Sequence, residues 1–596
     1  MTIAGISASA NASALTEPHH DGSELYVLEH PGGVGDRAVL RLRTRRGAAD
    51  DVLLRYVADG EARTVAAVVD EEADGETWWR AELTAVNPVT PYRWLLAGGE
   101  TGYGWLNGRG VIPREVSGGA DFVLTVGEGA PAWHAESVVY EIFPDRFASS
   151  GAQRDAPEWA VPRAWDTLPE GRGKNTAREW FGGDLPGIEQ HLDHVESLGA
   201  NVIYLTPFFP ARSTHRYDAS SFDHVDPLLG GDDALRSLAR AAHGRGMRLI
   251  GDVTLNHCGA GHEWFERASA DPSAPERDFF YFDDSQLHGY ASWLDVKSLP
   301  TLDWRSAGLH ERMGETLRRW LDAGLDGWRV DVANMVGRHG AIDLNREVAR
   351  WAREVTAGSL LLAEHGHDYR PDLDGRGWQG VMNYAGFLRP VWWWLRGDAI
   401  TEDVFSRAPA PLYGGDEAVT TMRSFRAGVP WQAVNDSWTL LDSHDTARFS
   451  TVAGSRGRHL VGVGLQMTTP GVPMIFAGDE IGLEGAWGED ARRTMPWDRT
   501  RSWDAELLDG YRRLARLRRS SDALARGGIR FVHVAEDAIA YLRETRDERL
   551  LCLGSRGPHD PISVPFTELE TLHGDDARDG VLPAGGPAFH VWRING

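Results

Sequence analysis

At 596 residues the chain is too long for a single compact core, so three or four domains are expected, one of them large enough for a barrel. The 62 Arg and Lys against 87 Asp and Glu leave a formal charge of −25, which argues against nucleic acid or an anionic membrane as a partner and for a neutral or cationic ligand. Two cysteines far apart in the chain, Cys258 and Cys552, imply no disulfide framework. No apolar run is long enough to span a bilayer. The Ala- and Ser-rich residues 1–22 lack a basic start and read as a tail, not a signal peptide. The expectation is a soluble, cytoplasmic protein. The 24 Trp suit sugar faces as well as cores, and core packing is the commoner use.

Residues 23–132 carry short alternating strands, at 38–44, 52–57, 78–83 and 92–96, separated by Gly, Asp and Pro. This spacing predicts an antiparallel β-sandwich, with 127–131 as a linker. From 133 to 521 apolar strands alternate with amphipathic helical stretches, the pattern of repeated βα units. Eight strands are predicted, at 138–144, 201–207, 248–257, 327–334, 360–364, 380–384, 439–445 and 473–479. The fold class is therefore α/β: a closed (β/α)8 barrel, whose active site sits at the C-terminal ends of the strands. A long stretch at about 258–303, rich in aromatic residues and Asp, interrupts the third unit and is a candidate lid subdomain. From 522 to 596 strands return without helices, as a second flanking β-sandwich domain.

The fourth strand, GWRVD at 327–331, alternates. Trp328, Val330 and Val332 share one face, and Arg329 and Asp331 the other. Two opposite charges on one side of a buried strand must pair, and a carboxylate beside a guanidinium stays ionised, which makes Asp331 a candidate nucleophile. A purely structural ion pair is the competing reading of these ten residues taken alone. Company decides between them. The third strand ends in Asp252, Asn256 and His257, the fifth in Glu364, and the seventh in His444 and Asp445, so one face of the barrel collects acids and histidines that stability does not require. Glycoside hydrolysis needs one ionised and one protonated carboxyl. Glu364 follows the apolar run LLLA at 360–363 and has no cation adjacent in sequence, so partial burial can hold its proton.

Four segments, DVTLNH at 252–257, GWRVD at 327–331, AE at 363–364 and SHD at 443–445, resemble in order and spacing those of the α-amylase family, glycoside hydrolase family 13. The resemblance implies Asp331 as nucleophile, Glu364 as acid/base and Asp445 as a third carboxylate gripping sugar hydroxyls. Asp252, His257, Arg329 and His444 would line the same subsite, with Tyr217 of THRYD at 214–218 stacking on the sugar. The N-terminal domain, which then resembles a carbohydrate-binding module, together with WFGGD at 180–184, LPTLD at 299–303 and GDEIG at 478–482, is similar to the cyclomaltodextrinase, neopullulanase and maltogenic amylase subgroup. That similarity implies an α-glucan oligosaccharide substrate, hydrolysis of α-1,4 bonds with α-1,6 bonds as a further target, an intracellular setting, and a homodimer in which one subunit's N-terminal domain walls the other's active site.

The departures from this pattern are specific. Gly366 stands where the subgroup has a Trp two positions after the acid/base residue, and Met335 stands where it has Glu. The loop ASSGAQRD at 148–155 lacks most of the oxygen ligands with which relatives bind calcium, so no cofactor and no metal is expected there. Two rivals accompany the hydrolase reading. A 4-α-glucanotransferase would resolve the same covalent intermediate with a sugar hydroxyl, and a catalytically dead carbohydrate-binding protein would need none of the three carboxylates.

Overall fold

All eight predicted strands form, in sequence order, one closed barrel of parallel strands. The computed structural model describes residue 15 and residues 17–127, 129–398, 400–403 and 408–595. The barrel strands are β1 Val139–Ile142, β2 Val202–Leu205, β3 Arg248–Thr254, β4 Gly327–Asp331, β5 Leu360–Glu364, β6 Gly380–Met382, β7 Trp438–Leu440 and β8 Val472–Phe476. They read as apolar runs because side chains fill the barrel inside and helices cover it outside. In β4, Trp328 points outward and packs nearly parallel to the rings of Phe208 and Phe209.

Several strands stop earlier than expected. β3 ends at Thr254, β6 at Met382 and β7 at Leu440, so His257, His444 and Asp445 belong to the loops beyond, where backbone turns towards the site. Val332 does not extend the outward face of β4 as expected: it leaves the strand at φ 38°.

The 258–303 insertion holds one α-helix, Glu263–Ala270, two short 3-10 helices, Pro275–Phe279 and Trp293–Asp295, and chain reversals tied by the backbone bridges His257–Thr301, Phe280–Leu302, Phe282–Tyr290 and Ser292–Pro300. Phe265 fills its centre against Phe280, Phe282 and Tyr290.

Before the barrel stand two antiparallel sheets. One carries Arg37–Arg45 and Glu76–Thr84, the other Asp51–Ala58 and Val89–Gly98. Leu40, Leu42, Trp79 and Leu83 meet Leu54, Tyr92, Trp94 and Leu96 between them, as the period-2 pattern requires. Residues 1–14 and 16 of the expected tail lie outside the described residues. The rest of it is docked: His19 pairs its backbone with Arg43, His20 is buried, and Asp21 accepts the amides of Ser23 and Ile529. Polar anchors of this kind leave no apolar signature in the sequence.

The C-terminal sheet starts at Gly528–Val534, after a short helix Asp522–Arg526, and runs through Ala538–Glu544, Arg549–Ser555, Ala588–Ile594 and Leu569–His573. One face packs on the small pair Ile562–Ser563 and Val581–Leu582. The other joins the barrel core through Ile539, Tyr541, Cys552, Phe589 and Val591.

Candidate active site

Arg329, wholly buried, is the hub of the barrel's C-terminal mouth. Its Nη1 donates to Asp252 Oδ2 at 2.9 Å and to Asp331 Oδ1 at 3.0 Å. Its Nη2 lies 2.9 Å from Glu364 Oε2, off the N–H axis, as an ion pair without a hydrogen bond. Glu364 therefore has a cation beside it, contrary to the expectation from its neighbours in sequence. The reason is topological. β4 and β5 are adjacent, Arg329 lies opposite Leu362, and a side chain long enough to cross the barrel interior reaches the end of the next strand.

Burial, then the Glu364 charge, pushes Asp331 well above the usual carboxylate range, and Arg329 only partly opposes this. Arg329 alone thus does not keep Asp331 an ordinary anion, as the sequence had suggested. Burial raises Glu364 as well, with Arg329 and the Val332 amide pulling the other way. Two carboxyls under mutual repulsion, Asp331 buried and Glu364 largely so, titrate together, and the pair keeps a proton to higher pH than either would alone.

Across the mouth, the Tyr217 hydroxyl lies 2.9 Å from Asp252 Oδ2 and 2.7 Å from His444 Nε2, and its ring stacks on His444 at 5.6 Å. His444 Nε2 is 3.2 Å from Asp445 Oδ2. Burial opposes a charge on His444, but Asp445 and Glu141, which is bonded to Nδ1, outweigh it and raise the imidazole above its ordinary value. Asp445 is a third exposed, and although partial desolvation works against its charge, His444 and Arg492, the latter at 2.9 Å from Oδ1, hold it below the usual range. His257 Nε2 is 3.9 Å from Asp331 Oδ2; the buried ring is pushed down to about 4 and is neutral. That Nε2 has no hydrogen-bond partner among the described residues, so it is free to meet a hydroxyl.

The structure brings Tyr217, Asp252, His257, Arg329, Asp331, Glu364, His444 and Asp445 into one network. Met335 and Gly366 stand outside it, on the loops after β4 and β5. Those loops are tied together: Arg338 donates to Asp372 at 2.9 and 2.6 Å, and His365 Nε2 lies 3.1 Å from the same carboxylate. Burial would raise Asp372, but these partners take it down to about 2. The Gly366 carbonyl accepts from Arg389 at 3.0 Å.

Sequence reasoning missed Glu141, Tyr204 and Arg492. Glu141 had a signal, as the one acid in an otherwise apolar strand. Tyr204, whose hydroxyl donates to Asp252 at 2.6 Å, reads as core. Arg492 lies 47 residues from its partner and has no local signature.

The residues of the 148–155 loop do not fit a cation. Asp184, which would supply oxygens, accepts Ser150 Oγ at 2.6 Å and Gly187 N at 2.8 Å, and pairs with Arg154. Asp184 here caps the helix Leu185–Gln190.

A parallel eight-stranded barrel with four carboxylates, two imidazoles and a buried guanidinium at the C-terminal mouth defines a barrel glycoside hydrolase. The family model described as "Alpha amylase, catalytic domain" matches residues 141–356 and 415–522. The chain belongs to the α-amylase family. Neopullulanase 2 of Thermoactinomyces vulgaris is 31% identical over 468 residues, covering 75% of this chain and 75% of the relative. Among solved structures, the type III pullulan hydrolase from Thermococcus kodakarensis superposes with a TM-score of 0.72 at 25% identity, over 96% of this chain and 99% of the other. A cyclic alpha-maltosyl-(1-->6)-maltose hydrolase from Arthrobacter globiformis, in complex with that ring, gives 0.66 at 28% identity, over 78% of this chain and all of the other.

Proposed function

We propose that this protein is a retaining α-glucan hydrolase that cleaves α-1,4 bonds, and α-1,6 bonds where they occur, in cyclic or short malto-oligosaccharides by double displacement. The observation that carries the reading is the single guanidinium of Arg329 in contact with both Asp331 and Glu364; from the upward shift of both carboxyls we infer one proton held between them. Substrate entry settles that proton on Glu364 and leaves Asp331 anionic. Asp331 then forms a bond to the anomeric carbon as the glycosidic C–O bond breaks and Glu364 protonates the departing oxygen. Glu364 next takes a proton from water, which displaces Asp331 and returns the sugar with its starting configuration. Asp445 and His444 hold hydroxyls of the cleaved sugar, Tyr217 stacks on it, and Asp252 and His257 complete the subsite.

Gly366 and Met335 shape the leaving-group side. A hydrogen in place of an indole opens space and removes a stacking surface, and Met in place of Glu removes a carboxylate. Bent or cyclic oligosaccharides are therefore preferred over starch, and the name of the Arthrobacter globiformis relative supports this direction. A cytoplasmic homodimer that pairs through the N-terminal domains completes the reading, and sedimentation of the full chain tests the dimer.

The decisive experiment follows hydrolysis by proton NMR while a 2-fluoro glycosyl substrate traps the intermediate for peptide mass spectrometry. An α-configured first product and an adduct on Asp331 are expected. An inverted product refutes the mechanism. Oligosaccharides longer than the donor, dominating at high substrate concentration, would favour the glucanotransferase.

A further inference from the structure

Val332 follows the proposed nucleophile directly and has φ 38°, a conformation that β-branched side chains rarely adopt. Strain of this kind persists only where the surroundings impose it, and it clusters at functional sites. Here the surroundings are Glu364. The Val332 amide donates to Glu364 Oε2 at 2.7 Å, and the next amide, Ala333, donates to the Glu364 carbonyl at 3.0 Å. A left-handed residue makes successive N–H groups converge, which forms a small concavity suited to an anion. In an extended continuation of β4 these two amides would diverge, and only one could reach Glu364.

The two oxygens of Glu364 consequently differ. Oε2 faces the Val332 amide and, at 2.9 Å, Arg329 Nη2. Oε1 has no hydrogen-bond partner among the described residues. A hydroxyl placed at Oε2 would point its hydrogen at two donors, whereas at Oε1 it meets none. Resting on the retaining mechanism above, we propose that Val332 is a positioning residue for proton transfer: its left-handed backbone fixes Oε2 as the unprotonated oxygen of Glu364, so that Oε1 alone carries the proton to the departing glycosidic oxygen. The proton leaves Oε1 as the C–O bond breaks, and the resulting carboxylate keeps the Val332 N–H. The same amide then favours the anion that must later accept a proton from water.

The test compares wild type with Val332→Pro, whose ring holds φ near about −65° and which has no N–H to give Glu364, on two substrates. A malto-oligosaccharide needs its leaving group protonated. α-Maltosyl fluoride departs with little help from an acid and reports on Asp331 and the fold. General acid assistance is worth about 10²–10⁴-fold in rate, so a partly misplaced Glu364 should cost about tenfold in kcat/KM on the oligosaccharide. The fluoride should change less than about twofold. The alkaline limb of kcat/KM should move to higher pH in Val332→Pro, because a carboxylate that loses an N–H donor is harder to ionise. Equal losses on both substrates, or no loss on either, overturn the proposal, as does neutron diffraction of the wild type with the proton on Oε2. Failure of the retaining mechanism itself shows separately, as an inverted product from the wild type.

Discussion

Removal of the central cation in Arg329→Leu tests the electrostatics of the whole mouth. One guanidinium contacts Asp252, Asp331 and Glu364, and it is fully buried. Deleting one side of a buried ion pair typically costs about 3–5 kcal/mol, because the remaining charge is left uncompensated. The cost must also depend on pH, with a sign that follows from the contacts. Arg329 lowers both Asp331 and Glu364, so without it these carboxyls, already raised by burial, rise further. The folded variant then binds more protons than the folded wild type, while the unfolded chains are alike. A group with its folded pKa raised contributes stability that is lost as pH increases through that pKa, so the variant is weakest at alkaline pH and recovers on acidification. Each pH unit over which it holds one extra proton restores about 1.4 kcal/mol, or up to about 2.7 kcal/mol between pH 7 and 5. Urea unfolding of both proteins at pH 5, 6 and 7, followed by Trp fluorescence and circular dichroism, measures this. A stability loss of the same size at pH 5 and pH 7 would refute the reasoning. Arg329→Lys should recover only part of the loss, since an ammonium cannot reproduce the planar fork.

Gly366→Trp should move the ratio of kcat/KM for soluble starch over that for a cyclic glucan of mixed linkage towards starch by about tenfold, the scale of a 1–1.5 kcal/mol stacking contact; starch as the best wild-type substrate would sink the argument. Arg154→Ala removes the cation beside Asp184, whose Oδ2 still accepts Ser150 Oγ, so calcium should leave the melting temperature of the wild type unchanged and raise that of the variant by a small amount; a wild-type drop with chelator that maps to this loop would count against the reading. Glu141→Gln removes a buried negative partner of His444, so the imidazole should titrate at lower pH by nitrogen-15 NMR and the protein should lose about 1.5–3 kcal/mol of stability. An unchanged His444 titration would show that Glu141 does not set its charge.

The barrel was legible because each strand is an apolar run flanked by helical periodicity, and because the polar residues that break the pattern do so at strand ends. Asp331 and Glu364 could be singled out on those grounds. Their electrostatic state could not, since the contact of Arg329 with Glu364 crosses between neighbouring strands and leaves no trace in local order. The turn at Val332 was hidden for a related reason. Valine has high strand propensity, and its left-handed backbone is imposed by an acceptor 32 residues away. Residues 17–22 were misread because their anchors, such as Asp21 to the Ile529 amide, are single polar contacts spanning the length of the chain.

The C-terminal sheet makes the chain's last residues inseparable from its catalytic unit. Phe589 lies against the helix Arg456–Thr468 at Gly464, where even a methyl group would stand 2.1 Å from the ring, and Thr468 Oγ1 lies 2.6 Å from the Tyr541 hydroxyl across the same seam. The sheet is thus buried on both faces, one by its own small partner sheet and one by the barrel. A module fixed in this way cannot be trimmed or exchanged like a bead on a string. A nonsense codon before residue 588 would strip cover from the helix between β7 and β8, and its effect would be read as loss of the enzyme, although the deletion lies more than 140 residues beyond Asp445.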